Sequence, residues 1–120
     1  MTWQEEEIPN GRILFIRVHE VNVIDGEVQP SAFQPHGKGL STNWKKYCTA
    51  QEALSKAREP DRNGVAKMNA SAVRRVPRVV RHAPSNSDRS HTNIIGDDST
   101  TVRLNLLKIA QREIPFPRKP

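Results

Sequence analysis

The chain predicts an α+β fold: a small mixed or antiparallel sheet covered by a C-terminal helix and one or two short helices. Three observations predict it. Short β-rich runs such as Ile13–Val18 alternate with turn residues, a capping box opens a helix in mid-chain, and the clearest amphipathic stretch lies near residues 100–112. The 120 residues are 35% apolar with a mean hydropathy of −0.70, enough for one domain with a modest core. Nine prolines and six glycines predict many turns and short elements. We expect a single domain over residues 10–113, with 1–9 and 114–120 as flexible ends.

The elements follow in order. Gly11-Arg12 leads into Ile13-Leu14-Phe15-Ile16-Arg17-Val18, a run long enough for a buried strand. Val21 to Ile24, Asp25-Gly26 and Glu27-Val28 read as a hairpin, because Asp-Gly tolerates the positive φ of a tight primed turn. Residues 29–42 are rich in Pro, Gly and Ser and predict a loop. Thr49-Ala50-Gln51-Glu52 fits a capping box, in which the Thr hydroxyl accepts the Glu52 amide and the Glu52 carboxylate reaches back. The helix it opens should run over about 50–58 and stop before Pro60. Gly64 to Met68 predicts a strand. Ser71 can cap one helical turn through Val76, ended by Pro77. Val79-Val80 begins an extended segment, and Asn93-Ile94-Ile95 makes a short strand closed by Gly96. Thr100 or Thr101 then caps a helix through about Arg112. Val102, Leu106, Ile109 and Ala110 share one of its faces, which Leu104 and Leu107 widen. Pro115 and Pro117 end it, and the tail 116–120 should fray.

Composition bounds the function. No apolar run approaches the ~20 residues that a membrane span needs. The first seven residues are acidic where a secretion signal would be basic and then apolar, so a cytoplasmic protein is expected. Cys48 stands alone and forms no internal disulfide, in keeping with a reducing compartment. Charge is uneven. Residues 1–60 carry seven basic and eight acidic groups, whereas residues 61–120 carry twelve and five. That asymmetry points to an anionic partner, most often nucleic acid. Arg74, Arg75, Arg78 and Arg81 are the densest basic cluster, and Trp44-Lys45-Lys46-Tyr47 adds lysines beside rings that can stack on bases.

Few motifs carry chemistry. The four histidines are scattered and show no metal-ligand spacing, so neither metal nor cofactor is expected. Gly37-Lys38-Gly39-Leu40-Ser41 is too short for a phosphate loop and reads as a surface turn. Asp97-Asp98 ahead of Ser99–Thr101 reads as helix capping and dipole compensation. Asp88-Arg89-Ser90-His91-Thr92 is the best candidate site. A His beside an Arg and a carboxylate can combine proton transfer with charge stabilisation. The plainer expectation is a structural loop, with Asp88 paired to Arg89 and His91 bonded to backbone.

Phe15-Ile16-Arg17-Val18-His19, Ser31-Ala32-Phe33, Gly39-Leu40-Ser41, Trp44, Tyr47, Arg89-Ser90-His91 and Ile95 together resemble a family of small uncharacterised prokaryotic proteins, over about residues 12–110. No function carries over from it. Arg17-Val18, Gly39 and Tyr47-Cys48-Thr49-Ala50-Gln51-Glu52-Ala53-Leu54 also resemble the opening of the RES-type, ADP-ribosyltransferase-like toxins that consume NAD. That resemblance implies an NAD pocket shared by a first-strand Arg, here Arg17, and a Tyr ahead of a helix, here Tyr47. The glycine-arginine-phenylalanine segment of those toxins is absent, and no later acidic catalytic residue is assignable.

Two functions follow as expectations. The first is a non-enzymatic accessory protein of a bacterial defence or toxin-related system. It would contact nucleic acid, another polyanion or a protein through Arg74, Arg75, Arg78, Arg81, Lys45 and Lys46. The second is a small NAD-consuming enzyme or nuclease using His91, Arg89 and Arg17, with His19 or Ser41 in support. Geometry separates them. A binder needs its arginines on one exposed face, whereas an enzyme needs its polar side chains in one cleft within hydrogen-bond reach.

Overall fold

The computed structural model describes residues 3–116. Eight strands and three helices alternate: β1 (Ile13–His19), β2 (Val23–Ile24), β3 (Glu27–Val28), β4 (Leu40–Trp44), α1 (Ala50–Ser55), β5 (Asn63–Asn69), α2 (Ala70–Arg75), β6 (Val79–His82), β7 (His91–Ile95), α3 (Thr100–Ile109) and β8 (Gln111–Ile114). Six strands form one antiparallel sheet in the order β6-β7-β4-β1-β5-β8, and β2-β3 is a separate hairpin. The expected α+β class with a C-terminal helix is therefore the observed one.

Side-chain alternation along β1 divides the structure into two layers. Leu14, Ile16 and Val18 point into the main core with Leu40, Trp44, Ala66, Met68 and Ile94. Ala70 and Val73 of α2, Leu106 of α3 and Phe33 of the short 3₁₀ turn Pro30–Phe33 close that layer. On the opposite face Phe15 and Val65 meet Cys48, Ala53 and Leu54 under α1. Helix α1 packs mainly on β1, β5 and β8. Among the described residues no helix lies mainly on the half of that face built from β4, β7 and β6.

Local chemistry explains most elements. The capping box at Thr49 forms as predicted, with Glu52 N–H donating to Thr49 Oγ1 (3.1 Å) and Thr49 N–H to Glu52 Oε1 (3.0 Å). Asp25 and Gly26 turn the hairpin with φ of 51° and 79°, the double positive φ of a primed turn. Gly39, at φ 151°, brings its backbone against β7, where a Cβ would stand 2.6 Å from the Ile94 carbonyl oxygen.

Several expectations need correction. Residues 40–44 are a central strand rather than the end of a loop. Their strand character comes from pairing with β1 and β7 on both sides, not from a β-rich run. Helix α1 ends at Ser55, short of residue 58. Asn69, not Ser71, caps α2, because its carboxamide oxygen accepts the Ser71 amide at 2.9 Å. Helix α3 stops at Ile109, and Gln111–Ile114 continue as an edge strand on β5. Leu104 faces outward, 41% exposed. Ile8, ahead of residue 10, is buried in the main core. Of the tail 116–120, residues 117–120 lie outside the described residues.

Leu106 is 3% exposed and belongs to the main core. Replacing it by Ala removes packed methyl groups and leaves a cavity, so Leu106→Ala should cost about 2–5 kcal/mol. A chemical-denaturation curve reads that loss directly. A midpoint equal to that of the parent protein would show that α3 is not a docked part of the core.

Candidate functional site

The uncovered half-face is polar. By strand alternation Arg17 of β1, Ser41 and Asn43 of β4, and His91 and Asn93 of β7 all lie on it. The register sets their neighbours. Asn43 is directly opposite His91, and Ser41 opposite Asn93. Between β1 and β4 the paired positions are Leu14–Trp44 and Phe15–Asn43, and pairing stops there although both strands continue. The strands therefore part just where Arg17 and Ser41 stand.

His91 has one defined tautomer in this setting. Its Nδ1 lies 2.9 Å from the Ala83 carbonyl oxygen, which can only accept, so Nδ1 carries the proton. Ser41 Oγ lies 3.0 Å from Nε2, which in the neutral ring accepts its hydrogen bond. A hydroxyl beside a base whose other nitrogen is fixed by a third group is the arrangement that raises hydroxyl nucleophilicity.

Arg17 is the site's cation. Its Nη1 donates to Asn43 Oδ1 (3.2 Å) and to the Ala53 carbonyl at the inner face of α1 (3.1 Å). Among the described residues no carboxylate lies within 4.0 Å of its guanidinium. Burial pushes its pKa down, and the charge of Asp88 only partly opposes that from beyond direct contact. Asn43 links the two, since its Nδ2 donates to Asp88 Oδ2 (3.0 Å) and to Ser90 Oγ (2.9 Å).

Asp88 organises the loop between β6 and β7. Its Oδ1 accepts the Ser90 amide (3.0 Å) and the Ser90 hydroxyl (2.6 Å), and Lys56 Nζ stands 3.6 Å away. Burial works against ionisation of this carboxyl, but the Ser90 hydrogen bonds and the Lys56 charge outweigh it and hold its pKa below the ordinary 3.8. Cys48 lies in the same layer, where burial pushes its thiol pKa up, and its Sγ donates to the Thr49 carbonyl. It is a packed thiol and not a nucleophile.

The structure brings only part of the expected site together. Arg17, Ser41 and His91 share the half-face. Arg89 does not join them. Its guanidinium is held between the Tyr47 ring (4.0 Å) and the Trp3 ring (4.3 Å), and the expected Asp88–Arg89 pair is replaced by Asp88–Lys56. His19, at the far end of β1, faces Glu59 at 3.3 Å. Tyr47 packs against Trp44 and His82 and donates to Glu6, so it does not share a pocket with Arg17.

The basic residues are also divided. Arg74 donates to the Ile8 carbonyl (2.5 Å) and to Asn10 Oδ1 (2.7 Å). Arg78 donates to the Pro77 and Asp97 carbonyls, and Arg81 pairs with Glu5 at 2.8 Å. Lys46 pairs with Glu6 at 2.8 Å, while Arg75 and Lys45 are exposed. Asp98 pairs with Arg103, and Ser99 caps α3.

Sequence reasoning missed Asn43, Asn93 and His82. The alternation Leu40-Ser41-Thr42-Asn43-Trp44, with apolar ends and polar centre, was the available signal for the first. His82 is 1% exposed, and its Nδ1 accepts the Glu6 amide at 3.0 Å. Nothing local in the sequence announces that contact. Comparison with protein-family models, curated proteins and solved structures finds no match to this chain. The site therefore rests on its own geometry.

Asp88 gives the site a testable pH dependence. A carboxyl with a depressed folded pKa contributes stability that is fully present above its unfolded value of 3.8 and is lost as pH falls through the folded value. Asp88→Asn should therefore lower stability at pH 7 by about 1–3 kcal/mol. The gap to the parent should narrow steadily below about pH 4. Thermal melts of both proteins across that range check the sign, and a gap that widens with acid would contradict it.

Proposed function

We propose that this protein is a small enzyme acting on a nucleotide substrate, of the NAD-consuming kind. The observation that carries the reading is the Ser41–His91 contact of 3.0 Å on the same open half-face as Arg17, a half-buried cation with no carboxylate partner among the described residues. A cation drawn partly out of water with its counter-charge, Asp88, beyond direct contact is costly. A substrate phosphate supplies a charge in contact and accepts guanidinium donors that Asn43 and Ala53 do not use.

Each residue then has a role. Arg17 anchors the pyrophosphate. Ser41 and His91 engage a ribose hydroxyl or activate the attacking hydroxyl, with His91 Nε2 taking the proton. Asn43 holds Arg17 in place, and Asn93, opposite Ser41, offers a neutral amide to the sugar. In NAD consumption water adds to the ribose carbon, the bond from that carbon to nicotinamide nitrogen breaks, and nicotinamide leaves with ADP-ribose as the other product. The first-strand position of Arg17 agrees with what the toxin resemblance implies; the placement of Tyr47 does not.

The Ser41–His91 pair supports a second reading, attack on a phosphodiester as in a nuclease. One set of assays covers both. The parent protein should release nicotinamide from NAD, and Ser41→Ala should lower the rate by about 10²-fold or more. Ser41 is exposed, so this variant should melt like the parent. His91→Ala should lose activity and also some stability, because the Ala83 carbonyl loses its donor. Cleavage of a labelled oligonucleotide without nicotinamide release would select the nuclease reading. Absence of both activities, or full activity in Ser41→Ala, would refute the enzyme.

A further inference from the structure

The segment Trp3–Ile8 lies across the sheet end near β6 as an extended strap, and every polar contact that holds it is made with a distant part of the chain. Glu5 pairs with Arg81 (2.8 Å) and Glu6 with Lys46 (2.8 Å). Glu6 also accepts from the Tyr47 hydroxyl and lies 4.0 Å from Arg89. The Ile8 carbonyl accepts from Arg74, and the Ile8 side chain is 1% exposed. Trp3 stacks on the Arg89 guanidinium, whose other side meets Tyr47. A groove of about 380 Å³ runs between the strap and Arg74, Arg81 and His82.

Beneath the part of the strap ahead of Glu7 is a row of three cations, Lys46, Arg81 and Arg89, while Arg74 holds the anchored end through the Ile8 carbonyl and Asn10. The strap sets two consecutive carboxylates and one flat ring against it. That is the same set of groups that a single strand of nucleic acid presents, with phosphates for point charges and bases for stacking. We propose that this row is a single-stranded nucleic-acid site and that the Trp3–Glu6 part of the strap occupies it as a displaceable mimic.

Four features support displacement by nucleic acid rather than permanent closure. The Glu5–Arg81 pair is half exposed on both sides, with side-chain exposures of 50% and 60%. Exposed ion pairs contribute little and weaken with salt. Ile8, by contrast, is anchored in the core, and displacement ahead of it breaks the Glu6 N–H bond to His82 Nδ1 (3.0 Å) together with the two ion pairs. The chain carries a formal charge of +6, which favours an anionic partner over a neutral one. The Arg89 guanidinium, stacked on Tyr47, presents to a base the face that Trp3 now occupies. The row opens towards the half-face of Ser41 and His91, because Trp3, Glu5 and Arg81 line one groove of about 700 Å³ with His91 and Asn93. The binding proposal does not depend on which reaction, if any, occurs there.

The test uses the full chain and a fluorescent oligouridylate of about ten nucleotides, read by anisotropy. Glu5→Gln/Glu6→Gln should bind the probe about tenfold or more tightly than the parent at the same moderate salt, because two competing anions are gone. Adding Arg81→Ala and Lys46→Ala should abolish that gain. Glu5→Gln alone, at an exposed position, should give a smaller gain and keeps the test valid if the double variant folds poorly. Equal affinity in parent and variants would overturn the proposal. So would a gain that survives the loss of Arg81 and Lys46. A ten-residue oligoglutamate that binds more tightly than the oligouridylate would assign the row to acidic peptides and overturn the nucleic-acid assignment.

Discussion

Arg17 is a charged residue on a central strand, and much of the half-face is arranged around it. Taking a guanidinium out of water costs free energy that packing alone does not return. The fold offsets part of that cost with neutral acceptors: the Asn43 carboxamide and the Ala53 carbonyl. Asn43 then passes the connection to Asp88 and Ser90, which shape the loop leading into β7. That loop supplies the Ala83 carbonyl and the start of the strand, and together these set the tautomer of His91 and its distance to Ser41. The chain of contacts joins β1, β4, α1 and the β6–β7 loop through side chains that have no part in the apolar core.

The same strands serve core and site because their residues alternate. Leu40, Thr42 and Trp44 point into or along the main core, while Ser41 and Asn43 point out to the open half-face. On β7 Ile94 is core and His91 is site. Three helices cannot cover both faces of six strands. Helices α2 and α3 close one face, α1 closes half of the other, and the remaining half is left to polar side chains. The basic character of the second half of the chain has a related explanation. Part of it is paired with acids far off in sequence, Arg81 with Glu5 and Arg62 with Glu20, and Arg74 and Arg78 are held on backbone carbonyls, so a count of charges along the sequence overstates the free positive surface.

What was legible in the sequence was local. The strand at 13–18, the Asp-Gly hairpin, the Thr49 capping box and the apolar stripe of α3 each depend on neighbours within a few residues. Strand β4 was not legible, because its composition is loop-like and its strand character comes from the strands on either side. Strand β8, Gln-Arg-Glu-Ile, is a polar edge whose partner lies over 40 residues away in sequence. At the site, the sequence singles out His91 for polar neighbours that are adjacent in sequence, Asp88 and Arg89. Its real partners, Ser41 and Ala83, come from β4 and from the far end of the loop. Arg89 shows the same effect in reverse: two positions from His91, it points away and stacks between Trp3 and Tyr47.

The central proposal is that Arg17, which meets no carboxylate within 4.0 Å among the described residues, receives a substrate pyrophosphate on the half-face. Ligand-induced thermal stabilisation by ADP-ribose tests it most directly, since this molecule carries the pyrophosphate and both sugars but no nicotinamide bond to break. A ligand that binds only the folded state raises stability by RT ln(1 + [L]/Kd), so the melting temperature of the parent should climb with ADP-ribose concentration. Arg17→Met, which keeps the stem and removes the charge, should melt somewhat below the parent without ligand, because Asn43 and the Ala53 carbonyl lose their donor, and should show no climb with ligand. A parent that does not respond, or an Arg17→Met variant that responds equally, would contradict the account.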